Sequence, residues 1–132
     1  MHTRDAAEQT LEFLKTEKPD VRSIIHAFSE GPDFAREMTN KYGFYLGIGG
    51  VATYPKMKMV REAIKTTPIE FLLTETDAPF LTPHQARKSG VKMNSPQYLP
   101  EVVQLIAELK NMDAEECAAQ LFENAQKCFG LK

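Results

Sequence analysis

Three short apolar runs alternate with amphipathic stretches of helical length, and that alternation limits the chain to few folds. The runs span residues 22–27, with Ile24 and Ile25 as an unbroken pair, residues 44–48, and residues 69–76, with Phe71-Leu72-Leu73 inside. The last is apolar without strict alternation, as expected of a parallel strand covered on both faces. Between them, Gly31-Pro32 opens a helix with Phe34, Ala35 and Met38 inward, and Gly43 ends it. Pro55 opens the next, with Met59, Val60, Ala63 and Ile64 inward and Pro68 beyond its end. A first helix spans residues 5–15, with Ala7, Leu11 and Leu14 on one face. Strands separated by helices of this length are parallel and joined by right-handed crossovers. The expected class is α/β, with outer helices on either an open doubly wound sheet or part of a (β/α)8 barrel. The 132 residues are read as a single domain, about half the roughly 250 of a complete barrel.

Beyond the third strand, residues 80–99 hold Pro83, Gly90 and Pro96 and are expected to form a long functional loop. Pro100 opens a helix carrying Val102, Val103, Ile106 and Leu109. The last helix begins with a complete start signal. Asp113 and Glu116 form a capping box, and Met112 and Cys117 a hydrophobic staple. Ala118, Leu121, Phe122, Ala125 and Phe129 are expected to continue its apolar face, and Gly130 to close it.

Composition bounds the function classes. With 42% apolar and 26% charged residues, the chain is globular rather than disordered. A net charge of −2 argues against attachment to nucleic acid by overall charge and leaves room for a local basic patch. No apolar stretch is long enough for a membrane span, and the first residues lack the apolar run of a signal peptide, so a cytoplasmic protein is expected. Cys117 and Cys128 lie eleven apart on one helix, about 16 Å, too far for a disulfide.

Three residues stand at equivalent places. His26 closes the first strand, Asp77 follows the third, and His2 precedes the first helix, where an earlier strand would end. Parallel strands end on one face, and catalytic groups collect there. Two imidazoles and a carboxylate so gathered suit Zn2+, Mn2+ or a related divalent metal. Gly47-Ile48-Gly49-Gly50-Val51-Ala52 matches a GxGxxA dinucleotide pattern, but Thr53-Tyr54-Pro55 delays the helix that would meet a pyrophosphate. Tight backbone at a sheet rim is the preferred reading, with a small nucleotide-binding domain as a remote alternative. Lys56, Lys58, Arg87, Lys88 and Lys92 lie near or after strand ends, and Arg4 follows His2; such cations can contact phosphates.

In order, His2-Thr3-Arg4, His26-Ala27-Phe28-Ser29, Tyr45-Leu46-Gly47-Ile48-Gly49-Gly50 and Leu72-Leu73-Thr74-Glu75-Thr76-Asp77-Ala78-Pro79 resemble the TatD family of metal-dependent deoxyribonucleases. Glu123-Asn124-Ala125 with Phe129-Gly130 resembles that family's C-terminal helix. The resemblance implies an amidohydrolase-like, TIM-type (β/α)8 barrel that uses divalent metals (Zn, Mn or Mg) to hydrolyse DNA phosphodiesters. His2, His26 and Asp77 resemble the metal ligands after strands five, six and eight. In that setting Asp77 is also catalytic, accepting a proton from the attacking water. Glu75 is a supporting, outer-shell charge, and Arg4 and Lys92 are possible phosphate contacts. The segment Lys92-Met93-Asn94-Ser95-Pro96 partly matches a family stretch reading Arg-Asn-x-Pro. The family's His-x-His pair and its metal-bridging glutamate have no counterpart here. The resemblance therefore implies strands five to eight, a half barrel with an incomplete metal site. The alternative is an inactive half barrel that associates with itself through its open edges.

Overall fold

The computed structural model describes residues 1–3, 6–17 and 20–131. It is an α/β fold around one parallel sheet. Helix α1 (Ala7–Thr16) leads to strand β1 (Ile24–Ile25), helix α2 (Pro32–Tyr42) and strand β2 (Tyr45–Ile48). Helix α3 (Lys58–Thr66), strand β3 (Leu72–Thr74), short helix α4 (His84–Lys88), and helices α5 (Leu99–Lys110) and α6 (Ala114–Phe129) complete it. The strand order is β1-β2-β3, with Ile25 opposite Leu46 and Leu46 opposite Leu72. A single bridge between His2 and His26 starts a further parallel pairing on the outer side of β1. Two hydrogen bonds accompany it, from Met1 N to the Ile24 carbonyl and from His26 N–H to the Met1 carbonyl.

The core lies between sheet and helices and includes Leu14, Ile25, Met38, Leu46, Ile64, Leu72 and Ile106, none of them exposed. Helix α2 follows its sequence signals. Pro32 stands in its first turn, Phe34, Ala35 and Met38 are buried, and Gly43 caps it at φ +66°.

Four expectations are corrected. The third strand is shorter than residues 69–76, because Ile69–Phe71 form a 3-10 turn after Pro68, with Phe71 N–H donating to the Pro68 carbonyl. Helix α3 begins at Lys58 rather than at Pro55, and Met59 is mostly exposed, its Cε resting near Gly31. The stretch 80–99, expected as one long loop, is a packed connection with helical turns. It contains α4, whose first N–H groups meet the Glu101 carboxylate (Gln85 N to Oε1 2.5 Å, Ala86 N to Oε2 3.1 Å), and a 3-10 turn over Pro96–Tyr98.

Helix α6 is rotated relative to expectation. Asp113 caps it, accepting from the N–H groups of Glu115 and Glu116. The buried face, however, is Cys117, Leu121, Asn124 and Cys128, while Ala118 and Phe122 and Phe129 face outward. Asn124 sets this rotation. Fully buried, its amide donates to the carbonyls of Ile69 (2.7 Å) and Leu72 (2.9 Å), satisfying the turn that leads into β3.

Candidate metal centre

His26 leaves the sheet directly after β1, and the next residue, Ala27, is left-handed at φ +49°. Beyond β3, Glu75 N–H still donates to the Ile48 carbonyl (3.0 Å), so the ladder continues one residue past the strand. Asp77 then turns the chain at φ +56°, and Leu81 turns it again at φ +55°. Left-handed non-glycine residues cost of order 1 kcal/mol or more each and cluster at functional sites. Here they carry the chain off β1 and β3, the strands on either side of β2, toward the same cleft.

The side chains meet around His26. Its Nδ1 lies 3.0 Å from Glu75 Oε2 and its Nε2 2.9 Å from Asp77 Oδ1. The second Glu75 oxygen accepts the Ala27 N–H at 2.6 Å. Burial pushes the Glu75 carboxyl above its ordinary range, against the pull of His26 and the Ala27 N–H toward the charged form. Glycine makes room for that carboxylate. A Cβ on Gly47 would lie 2.1 Å from Glu75 Oε2, and one on Gly50 would lie 2.2 Å from the Leu81 carbonyl. The GxGxxA segment is thus a tight backbone approach. Residues Gly50–Thr53 form a 3-10 turn, and α3 starts only at Lys58, so no long helix meets the glycines.

His26, Glu75 and Asp77 offer ligand atoms within 4.8 Å of one another, the arrangement a single cation requires. Two donors on one ion at about 2.0–2.2 Å stand about 3 Å apart, which the His26 Nε2–Asp77 Oδ1 spacing matches. The donor set fits a borderline or hard divalent ion. With its Nδ1 on Glu75, His26 has the carboxylate–histidine arrangement that orients metal ligands.

His2 lies close by but outside this group. Its ring centroid is 5.7 Å from that of His26, and it lines the same cleft of about 370 Å3 with Asp77, Phe80 and Leu81. Arg4 lies outside the described residues. Lys92 is exposed on a separate cleft with Arg87, away from Asp77.

Two residues around the candidate site escaped sequence reasoning. Asn94, buried, donates to the carbonyls of Thr76 (2.6 Å) and Leu81 (3.4 Å), tying the connection to the segment that carries Asp77. Its place before Ser95-Pro96 was the available signal. Phe80 stands mostly exposed at the rim of the cleft, a position with no sequence signature.

A family model described as TatD related DNase matches residues 1–130. The chain is 43% identical over 132 residues to the uncharacterized metal-dependent hydrolase YabD of Bacillus subtilis, covering 99% of this chain and 50% of that protein. It is 37% identical over 131 residues to the uncharacterized metal-dependent hydrolase TatD of Mycobacterium tuberculosis, covering 99% and 48%. The solved TatD homolog YJJV of Escherichia coli K12 superimposes with a TM-score of 0.85 at 28% identity, over 99% of this chain and 49% of that one. A TatD family hydrolase from Entamoeba histolytica, at 16% identity and TM-score 0.82, shares the fold over 99% of this chain and 50% of its own. The chain spans about half the length of these relatives, and its parallel sheet with outer helices is half of a TIM-type barrel. It belongs to the TatD related DNase family.

Proposed function

We propose that this chain carries part of the metal site of a divalent-metal-dependent hydrolase acting on DNA phosphodiester bonds. The observation that carries the reading is His26, with Nε2 beside Asp77 Oδ1 at 2.9 Å and Nδ1 braced by Glu75 at 3.0 Å. His26 and Asp77 would hold a Zn, Mn or Mg ion, with His2 beside them and Glu75 orienting His26. Such an ion, when bound, withdraws charge from a phosphate oxygen and acidifies water. Asp77 takes the proton of the water that attacks phosphorus, and the bond to the leaving ester oxygen breaks. The turned backbone at Asp77, held by Asn94 on either side, fixes the carboxylate in the cleft. Two buried free thiols support a reducing, cytoplasmic setting.

With three candidate protein donors on half a barrel, the site is incomplete, and the expected activity of the isolated chain is weak. Open sheet edges favour a second reading, a self-associating half barrel without hydrolysis. Bound-metal analysis with native mass, together with cleavage of labelled DNA in Mn2+ or Zn2+, separates the two. Bound metal lost in His26→Ala and Asp77→Ala supports the hydrolase. A metal-free chain that leaves DNA intact sinks it, and metal retained in both variants shows the site lies elsewhere.

A further inference from the structure

A second cleft, of about 390 Å3, adjoins the one at Asp77, and the two share Val51 and Leu81 as a common wall. Its floor and sides come from two separate elements. Lys56 follows the 3-10 turn after β2, and Arg87 stands on α4. Cross-links hold those elements together. Tyr54 Oη donates to the Thr82 carbonyl (3.0 Å), His84 N–H donates to Thr53 Oγ1 (2.8 Å), and the Tyr54 and His84 rings pack with centroids 5.2 Å apart. Arg87 also lines a third cleft, of about 310 Å3, together with Lys92. The three clefts therefore form a chain that starts at Asp77 and passes Lys56, Arg87 and Lys92 in turn.

Charge distinguishes the second and third clefts from the others, which are lined by Asp77, by Asp33 with Glu62, and by Glu115. Among the described residues, no acidic residue lines the second or third cleft. Among the described residues, Lys56, Arg87 and Lys92 enter no ion pair, a state they share with most cations of the chain, so the basic lining of the two clefts is what sets them apart. Arg36, Lys41 and Lys127 are paired with Asp33, Glu37 and Glu123. In a chain of net charge −2, such cations form a local anion-binding feature rather than part of a general positive field.

We propose that Lys56 and Arg87 form a phosphate subsite adjoining the metal centre, which binds the phosphodiester next to the one presented to Asp77, with Lys92 next along the same strand. The ligand class is a polyanionic strand rather than a mononucleotide, since one phosphate cannot fill both clefts. The identity of that strand as DNA rests on the proposed function, whereas the subsite itself can be measured without hydrolysis.

The test uses the full chain and a short fluorescein-labelled oligothymidylate, with anisotropy read in EDTA across a salt series. The Lys56→Gln/Arg87→Gln double variant should bind about tenfold more weakly, and its plot of log affinity against log salt should be shallower by about 1.4, at about 0.7 per contact on a single strand. A Lys41→Gln/Lys127→Gln control, which removes the same charge from paired positions, should stay within about twofold of wild type. Equal affinity in wild type and the double variant overturns the subsite, as does equal weakening in the control or no binding by wild type at the lowest salt. A chain that shows the expected dependence on Lys56 and Arg87 in EDTA, yet cuts no DNA with Mn2+, supports the subsite and removes the hydrolase reading. A chain that hydrolyses bis(p-nitrophenyl) phosphate, but whose oligonucleotide affinity ignores both cations, removes the subsite alone.

Discussion

Gly47 has no side chain, and the Glu75 carboxylate uses the space that one would fill. Substitution by alanine places Cβ 2.1 Å from Glu75 Oε2 and 2.8 Å from its Cδ, with the Ile25 carbonyl 3.3 Å away on the other side. The carboxylate is the part able to move, and moving it breaks its contacts with His26 and the Ala27 N–H. Gly47→Ala should therefore lower metal affinity by about 10–100-fold, the range seen when groups that orient a ligand are lost. Calorimetric titration with Zn2+ or Mn2+ reads this, and wild-type affinity in the variant would show that Glu75 does not orient His26. At this scale the sequence put His26 and Asp77 at strand ends on one face, and the fold brings the two side chains to 2.9 Å. The sequence did not reveal why Gly47 is glycine. The GxGxxA spacing suggests a phosphate cradle, and only the folded register shows Glu75 lying across it. Asn94 was hidden for the same reason, since its partners are carbonyls exposed by the turns at Asp77 and Leu81.

The helices show where periodicity informs and where it misleads. In α2 the apolar stripe, the proline at its start and the glycine at its end agree, and the helix forms as read. In α6 the apolar positions admit two overlapping faces, and one polar residue chooses between them. Asn124→Ala leaves the carbonyls of Ile69 and Leu72 unpaired in the interior, each costing about 1–3 kcal/mol. Unfolding in urea should show a loss of about 2–4 kcal/mol with an unchanged slope, and a loss below about 1 kcal/mol would show that another group satisfies the turn. The same face buries both thiols, and burial pushes their pKa values up. Cys117 and Cys128 should accordingly stay protonated in mildly alkaline buffer and react with Ellman's reagent only as α6 opens. Rapid, full labelling of the native chain would contradict this placement. The 3-10 turn at Ile69–Phe71 was illegible because apolar residues feed a strand or a tight turn equally well.

For the molecule as a whole, alternation of strand and helix gave the α/β class, and the family motifs gave the half barrel. What neither conveyed was the surface left by that arrangement. Among the described residues the sheet has three strands, β3 pairs only with β2 in it, and β1 is flanked on its outer side by a single bridge at His2. Phe122 and Phe129 stand 65% and 62% exposed on the outer side of α6, two turns apart, with Ala118 one turn before Phe122. Apolar side chains exposed together favour association with another surface of the same kind, and unpaired strand edges do so as well. Sedimentation should give a mass above the 14.9 kDa of one chain that rises with concentration. Phe122→Glu/Phe129→Glu should return it to the monomer without loss of helix signal, because neither ring contributes to the core. If the double variant associates as strongly as wild type, α6 is not the contact and the strand edges carry it. A wild-type chain that stays monomeric at every concentration shows that the half barrel is self-sufficient in solution.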